Sequence, residues 1–153
     1  MGTHDHRAAQ DVAGRRAPAL SDGTLDVMGK DEVMHQGFHS VKPRMVVIDV
    51  AGAARFLSAV FGGTGEIQEG RPAEIRVGDS VVMVSAAGER ELFPAFLYVY
   101  VDDADAAYHR ALAAGAVAVE EPLDTPYGDR RAMVRDPFGN LYQIAHRIGI
   151  PAR

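Results

Sequence analysis

Between positions 43 and 147 the apolar residues fall into short runs, whose spacing alternates between the period of a strand and that of a helix. Met45-Val46-Val47-Ile48 is a brief apolar run closed by Asp49, and it predicts a strand. From Gly52 to Phe61, the residues Ala53, Phe56, Leu57, Val60 and Phe61 recur at helical spacing and make one apolar face. Asp49 stands where such a helix takes its N-cap, and Gly62-Gly63 where it stops. Three short strands are predicted next, at Glu66–Glu69, Ala73–Val77 and Ser80–Ala86. Gly78-Asp79 reads as a two-residue hairpin turn between the last two.

The order strand, helix, strand, strand, strand then occurs again. Phe96–Val101 predicts a strand, Asp103 stands at a second helix start, and Ala104, Ala107, Ala111 and Leu112 form an apolar face ended by Gly115. A weakly defined strand near Ala116–Glu120, a strand Arg130–Arg135, the turn Asp136-Pro137-Phe138-Gly139 and a strand Asn140–His146 complete the unit. Asp49 matches Asp103, Gly63 matches Gly115, and the turn Gly78-Asp79 matches Gly139-Asn140. One helix over one curved sheet cannot close a core, so the units must pair. The pattern therefore predicts an α+β fold of two paired βαβββ modules, about residues 42–86 and 95–147. Together they would form a curved mixed sheet, with the helices on the convex face and an open cup on the other. Ala87–Pro94, with Gly88 and Pro94, is the expected linker. Residues 1–38 have no sustained apolar period and are expected to be a flexible extension, leaving 39–150 as a single domain.

Composition narrows the class. A chain of 153 residues with 47% hydrophobic and 24% charged residues has room for one domain with a core and is neither disordered nor membrane-like in make-up. A net charge of −5 with scattered basic residues gives nucleic acid no electrostatic footprint. Cysteine is absent, which excludes disulfides, thiolate zinc sites and thiol nucleophiles, and suits the cytoplasm. No apolar run approaches the roughly 18 residues of a membrane span, and the N-terminus lacks the apolar core of a signal peptide. The expectation is a cytoplasmic protein with neither a membrane nor a nucleic-acid partner.

Several segments in this order carry a resemblance. Pro43-Arg44-Met45-Val46-Val47-Ile48-Asp49, the helix end Phe61-Gly62-Gly63, the turn Val77-Gly78-Asp79, Tyr127-Gly128-Asp129-Arg130 and Asp136-Pro137-Phe138-Gly139-Asn140 resemble the vicinal oxygen chelate superfamily of glyoxalases, bleomycin-resistance proteins and extradiol dioxygenases. The last two segments resemble its PhnB-like branch in particular. The resemblance covers about residues 40–147. It implies a metal held in the cup by His, Glu or Gln at one position on each of four strands. Projected onto this chain by spacing from Asp49, Asp103 and Asp136, those positions are Lys42, Pro72 (or its neighbour Glu74), Phe96 and Gln143. Lysine brings a positive charge, and proline and phenylalanine have no ligating atom. Two oxygen ligands do not hold a catalytic divalent ion, which takes about three protein ligands. No cofactor is therefore expected, and a divalent metal would need a different ligand set.

Strand alternation predicts what faces the cup instead. The set is Arg44 and Ile48 in the first strand, Glu74, Arg76 and Met83 in the hairpin, Phe96, Tyr98 and Tyr100 in the fifth strand, and Arg131, Met133 and Gln143 in the last two. Tyr127 and Arg130 belong to a loop at the cup's mouth. The three aromatics would form a stacking wall with tyrosine hydroxyls as polar handles, or would fill the cavity or a dimer seam. The arginines suit a ligand carboxylate or ring. Glu74 is the one candidate general base. Alternation places Tyr142, Ile144 and His146 on the helix side.

Three functions fit these expectations. The first is a binding or sequestering protein with a metal-free aromatic cup for a small, planar or aromatic organic ligand, as the resemblance to bleomycin-resistance proteins implies. The second is a lyase or dioxygenase of the glyoxalase kind using atypical metal ligands. The third is a structural or regulatory homodimer whose cups are filled by its own side chains.

Overall fold

The two aspartates at the predicted helix starts do set where the helices begin. In the computed structural model, which describes residues 39–150, Asp49 accepts from the backbone of Gly52 and Asp103 from that of Ala106. Each thereby satisfies an amide that a helix leaves unpaired in its first turn. Helix α1 spans Val50–Phe61 and ends on Gly62 in the left-handed conformation; α2 spans Ala104–Ala113. The expected extension, residues 1–38, lies outside the described residues.

Seven strands surround these helices: β1 Arg44–Val47, β2 Ala73–Val77, β3 Ser80–Ala86, β4 Phe96–Tyr100, β5 Val117–Asp124, β6 Asp129–Arg135 and β7 Leu141–Arg147. They form two mixed sheets, ordered β1-β3-β2 and β4-β7-β6-β5. The first strand of each module pairs parallel with the last of its module, and the rest of each sheet is antiparallel. The repeat read from the sequence is thus real at the level of topology. Gly78 has φ +58 while Asp79 does not have positive φ, the pattern of a II′ hairpin turn, and β2 and β3 meet across it as predicted.

Two expectations need correction. Glu66–Glu69 does not form a strand; the module's second strand is reduced to one bridge, Thr64 with Arg76. Residues 64–70 are all exposed, so no buried side chain holds that segment against the sheet. The β6–β7 connection is also not a match for Gly78-Asp79, because it runs through five residues, Asp136 to Asn140. Its shape comes from the Asp136 carboxylate. That group is buried and accepts from the amides of Phe138 and Asn140, from Asn140 Nδ2 and from the Tyr142 hydroxyl.

One core joins both modules. It contains Met45, Val47, Ile75, Val82 and Val84 from the first sheet, Ala132, Val134, Tyr142 and Ile144 from the second, and the apolar faces of both helices. Tyr142 of β7 is fully buried, with its ring 5.5 Å from that of Phe56 and 5.3 Å from that of Phe61, both on α1. Phe138 of the turn sits over the first turn of α1, where a Cβ on Gly52 would come within 2.6 Å of its ring. Glycine is needed there for close approach. Tyr142 therefore ties the second module's turn to the first module's helix, through a hydrogen bond at one end and ring packing at the other. Tyr142→Phe should cost about 1–2 kcal/mol and Tyr142→Ala about 3–5 kcal/mol in urea-unfolding free energy. A Tyr142→Ala loss no larger than that of the phenylalanine variant would contradict this packing role.

Candidate functional site

The strand faces opposite the core carry the predicted ligand-binding residues. On the first sheet Arg44 pairs across to Met83, and Met83 to Glu74. Their side-chain partners are local. Arg44 Nε donates to Ser85 Oγ at 2.9 Å, and Lys42 Nζ lies 2.8 Å from Glu74 Oε1. Glu74 is half-exposed in that surface ion pair, far from the buried setting expected of a general base. Arg76 faces solvent, and Ile48 lies one residue beyond β1 with 80% of its surface exposed.

The second sheet gathers more. Registers place Tyr98, Gln143 and Met133 in one row, and Tyr100, Ala145 and Arg131 in the next. The ring of Tyr98 lies 5.3 Å from that of Tyr100. Phe96, Tyr98 and Tyr100 are 62%, 38% and 59% exposed, an unusual run of aromatic surface on one strand. Leu97 and Val99, of the other parity, pack towards the core. Alternation in β4 was therefore read correctly.

Beneath the tyrosines is a residue the sequence reading did not single out. Asp129, at the start of β6, is 1% exposed. Its Oδ2 accepts from the hydroxyls of Tyr98 at 2.6 Å and Tyr100 at 2.9 Å, and its Oδ1 from Arg147 at 2.7 Å. The loop before it is built to deliver it. Thr125 Oγ1 donates to the Asp129 carbonyl and accepts from its amide, and Gly128 turns the chain with φ +93. The Tyr-Gly-Asp-Arg segment thus matters chiefly for its aspartate. Its tyrosine, Tyr127, accepts from Arg131, whose guanidinium also pairs with Glu120 at 2.6 Å. Its arginine, Arg130, turns to the helix side, where Asp105 of α2 engages it at 2.7 Å, and it also meets Asp124 at 2.9 Å.

These contacts fix protonation. The Tyr98 hydroxyl bond, followed by those of Tyr100 and Arg147, holds the Asp129 carboxyl below the ordinary carboxylate range despite its burial. Burial and the same bond push the Tyr98 phenol well above its ordinary value. At neutral pH the Tyr98 phenol is a donor committed to an anion, not a base. Around β4 a cleft of about 560 Å³ opens, lined by residues of both its faces, by Leu57 and Phe61 of α1, and by the β2–β3 turn. Since β4 is the terminal strand of its sheet, the cleft follows the strand's outer edge. Of the twelve predicted ligand-binding residues, Tyr98 and Tyr100 line it.

A sequence profile described as Glyoxalase/Bleomycin resistance protein/Dioxygenase superfamily matches residues 37–144. The chain belongs to this superfamily. An uncharacterized protein of Mycobacterium bovis is 29% identical, over 71% of this chain and 84% of its own length. Among solved structures, TioX from Micromonospora sp. ML1 is 27% identical with a TM-score of 0.60, covering 71% of this chain and 99% of that one. A glyoxalase/bleomycin resistance protein/dioxygenase family enzyme from Burkholderia phytofirmans PsJN is 22% identical with a TM-score of 0.57, covering 68% and 94%; at that identity it shows the fold alone. The superfamily name joins enzymes with a resistance protein, so membership leaves catalysis open.

The metal that the superfamily implies does not fit the donors present. Lys42 is paired with Glu74, Phe96 offers a ring, and Gln143 is the remaining oxygen donor among the projected positions. Among the described residues no three of His, Asp and Glu gather closely enough to hold an ion. No helix among the described residues is long and apolar enough to cross a membrane.

Asp129 contributes its stability in full above its unfolded pKa, about 3.9, and loses it as pH falls through the lower folded value. Thermal unfolding of the native chain should therefore weaken more steeply below about pH 4 than that of Asp129→Asn. Parallel acid limbs for the two proteins would show that the carboxylate carries no such linkage.

Proposed function

We propose that this chain is a small-molecule binding or sequestering protein that holds a planar organic ligand against Phe96, Tyr98 and Tyr100 and does not transform it. The observation carrying this reading is the exposed tyrosine pair whose hydroxyls are both tied to one buried carboxylate. A free tyrosine on a surface turns about its side-chain bonds, and stacking on it must first freeze that motion. With the hydroxyls anchored, much of that entropy cost is met on folding, and the rings wait in place. The cleft beside them gives a ligand a second wall. The absence of a fitting donor set at the projected metal positions, and a lone carboxylate candidate in a surface ion pair, favour holding over chemistry.

A self-filled dimer is the competing reading, favoured by the exposure of Ile48, Phe93 and Phe96. Binding separates the two. A panel of planar aromatics screened by equilibrium dialysis should give saturable, chelator-insensitive binding without turnover. Tyr98→Ala or Tyr100→Ala should each weaken it by about 1–3 kcal/mol. Unchanged affinity in both variants, or loss of a dimer with no ligand bound by either form, would sink the proposal.

A further inference from the structure

The outer face of the second sheet is charged, yet the charges around its centre are paired with one another. Arg131 is paired with Glu120 and with the Tyr127 hydroxyl. Arg147 is paired with Asp129, and Asp129 also takes both tyrosine hydroxyls. Arg135, at the face's end, reaches the Gly139 carbonyl. A carboxylate or ammonium on the ligand would compete with these pairs, and drawing Arg131 or Arg147 away would cost Glu120 or Asp129 its cationic partner.

In the middle of the same face stands Gln143. It is half-buried, flanked in register by Tyr98 on β4 and Met133 on β6. Among the described residues its side chain makes no hydrogen bond, although every other polar side chain in the rows around it makes one. A primary carboxamide presents a carbonyl acceptor beside an N–H donor in one plane. Its complement is a group that offers the same pair in reverse, an N–H next to a C=O held cis.

Resting on the binding function proposed above, we infer that the ligand is neutral and that its ring carries a lactam or carboxamide edge, read by Gln143 while the ring lies against Tyr98. Gln143 is then the specificity-determining residue of the face, and the tyrosines supply affinity without choosing among rings. At the position where the superfamily's pattern expects a metal ligand, this chain would use the glutamine's amide as a hydrogen-bonding reader.

Four probes of similar size test the inference by equilibrium dialysis against the full chain: 2-quinolone as the neutral lactam, naphthalene as the bare ring, quinoline-2-carboxylate as the anion and N-methylquinolinium as the cation. The lactam should bind about 10-fold more tightly than the other three, as two modest hydrogen bonds allow. Gln143→Leu should abolish the lactam's preference, so that 2-quinolone and naphthalene bind with equal affinity. Gln143→Glu, which keeps the shape and loses the donor, should do the same. A lactam preference that survives both variants, equal binding of lactam and naphthalene to the native chain, or tightest binding of either ion would overturn the inference while the stacking face stands. No binding of any probe, naphthalene included, would overturn both.

Discussion

The Tyr142 hydroxyl ends 3.0 Å from a carboxylate that already accepts three other hydrogen bonds, while its ring packs against two phenylalanines of the other module's helix. This arrangement decides more than local stability. Side chains in a strand alternate, so fixing Tyr142 inward fixes Leu141, Gln143 and Ala145 outward. The ladders then carry that choice sideways, to Tyr98 and Tyr100 through β4 and to Arg131 and Met133 through β6. A slip of one residue in β7 would bury Gln143 and expose the core. The composition of the outer face thus depends on one buried tyrosine on the opposite side of the sheet.

Two carboxylates at the ends of β6 work by the same rule on opposite tasks. Asp136, just after the strand, is saturated by two backbone amides, an asparagine and Tyr142, and it shapes a turn. Asp129, at its beginning, is saturated by two tyrosines and an arginine, and it shapes an exposed surface. A buried carboxylate is tolerable only when its lone pairs are met, so each one dictates the positions of the groups around it. In the first case the result is a turn joined, through Tyr142, to the other module's helix. In the second it is a pair of exposed aromatic rings whose hydroxyls share one anchor.

How far the sequence could reveal this follows from the range of each signal. Asp49 and Asp103 were legible as caps because a cap acts within three residues of itself. The β2–β3 hairpin was legible because its turn residues lie between its strands. Glu66–Glu69 misled because β propensity says nothing about whether a partner surface exists to bury a segment. Phe96, Tyr98 and Tyr100 could be placed on one face by alternation alone. Their anchor could not. Asp129 lies 29 residues or more from both tyrosines and follows a glycine, so locally it reads as an ordinary turn residue. A buried aspartate shows itself only once folding brings its donors together, and the same holds for Arg147.

The two sheets also treat the superfamily's projected metal positions differently. On the first, Lys42 and Glu74 neutralise one another, and Arg44 turns to Ser85, so that face is closed by its own contacts. On the second, the projected positions are Phe96 and Gln143, an exposed ring and an amide. A metal centre concentrates binding energy in a few short bonds to charged donors, whereas a ring and an amide spread it over contact area and direction. Spread interactions reward rigidity more than charge, because each is weak and is lost if its group wanders. That is the physical reason for expecting Asp129 to matter to the proposed function: rings that bind by contact area need something to hold them in place, and Asp129 anchors two of them.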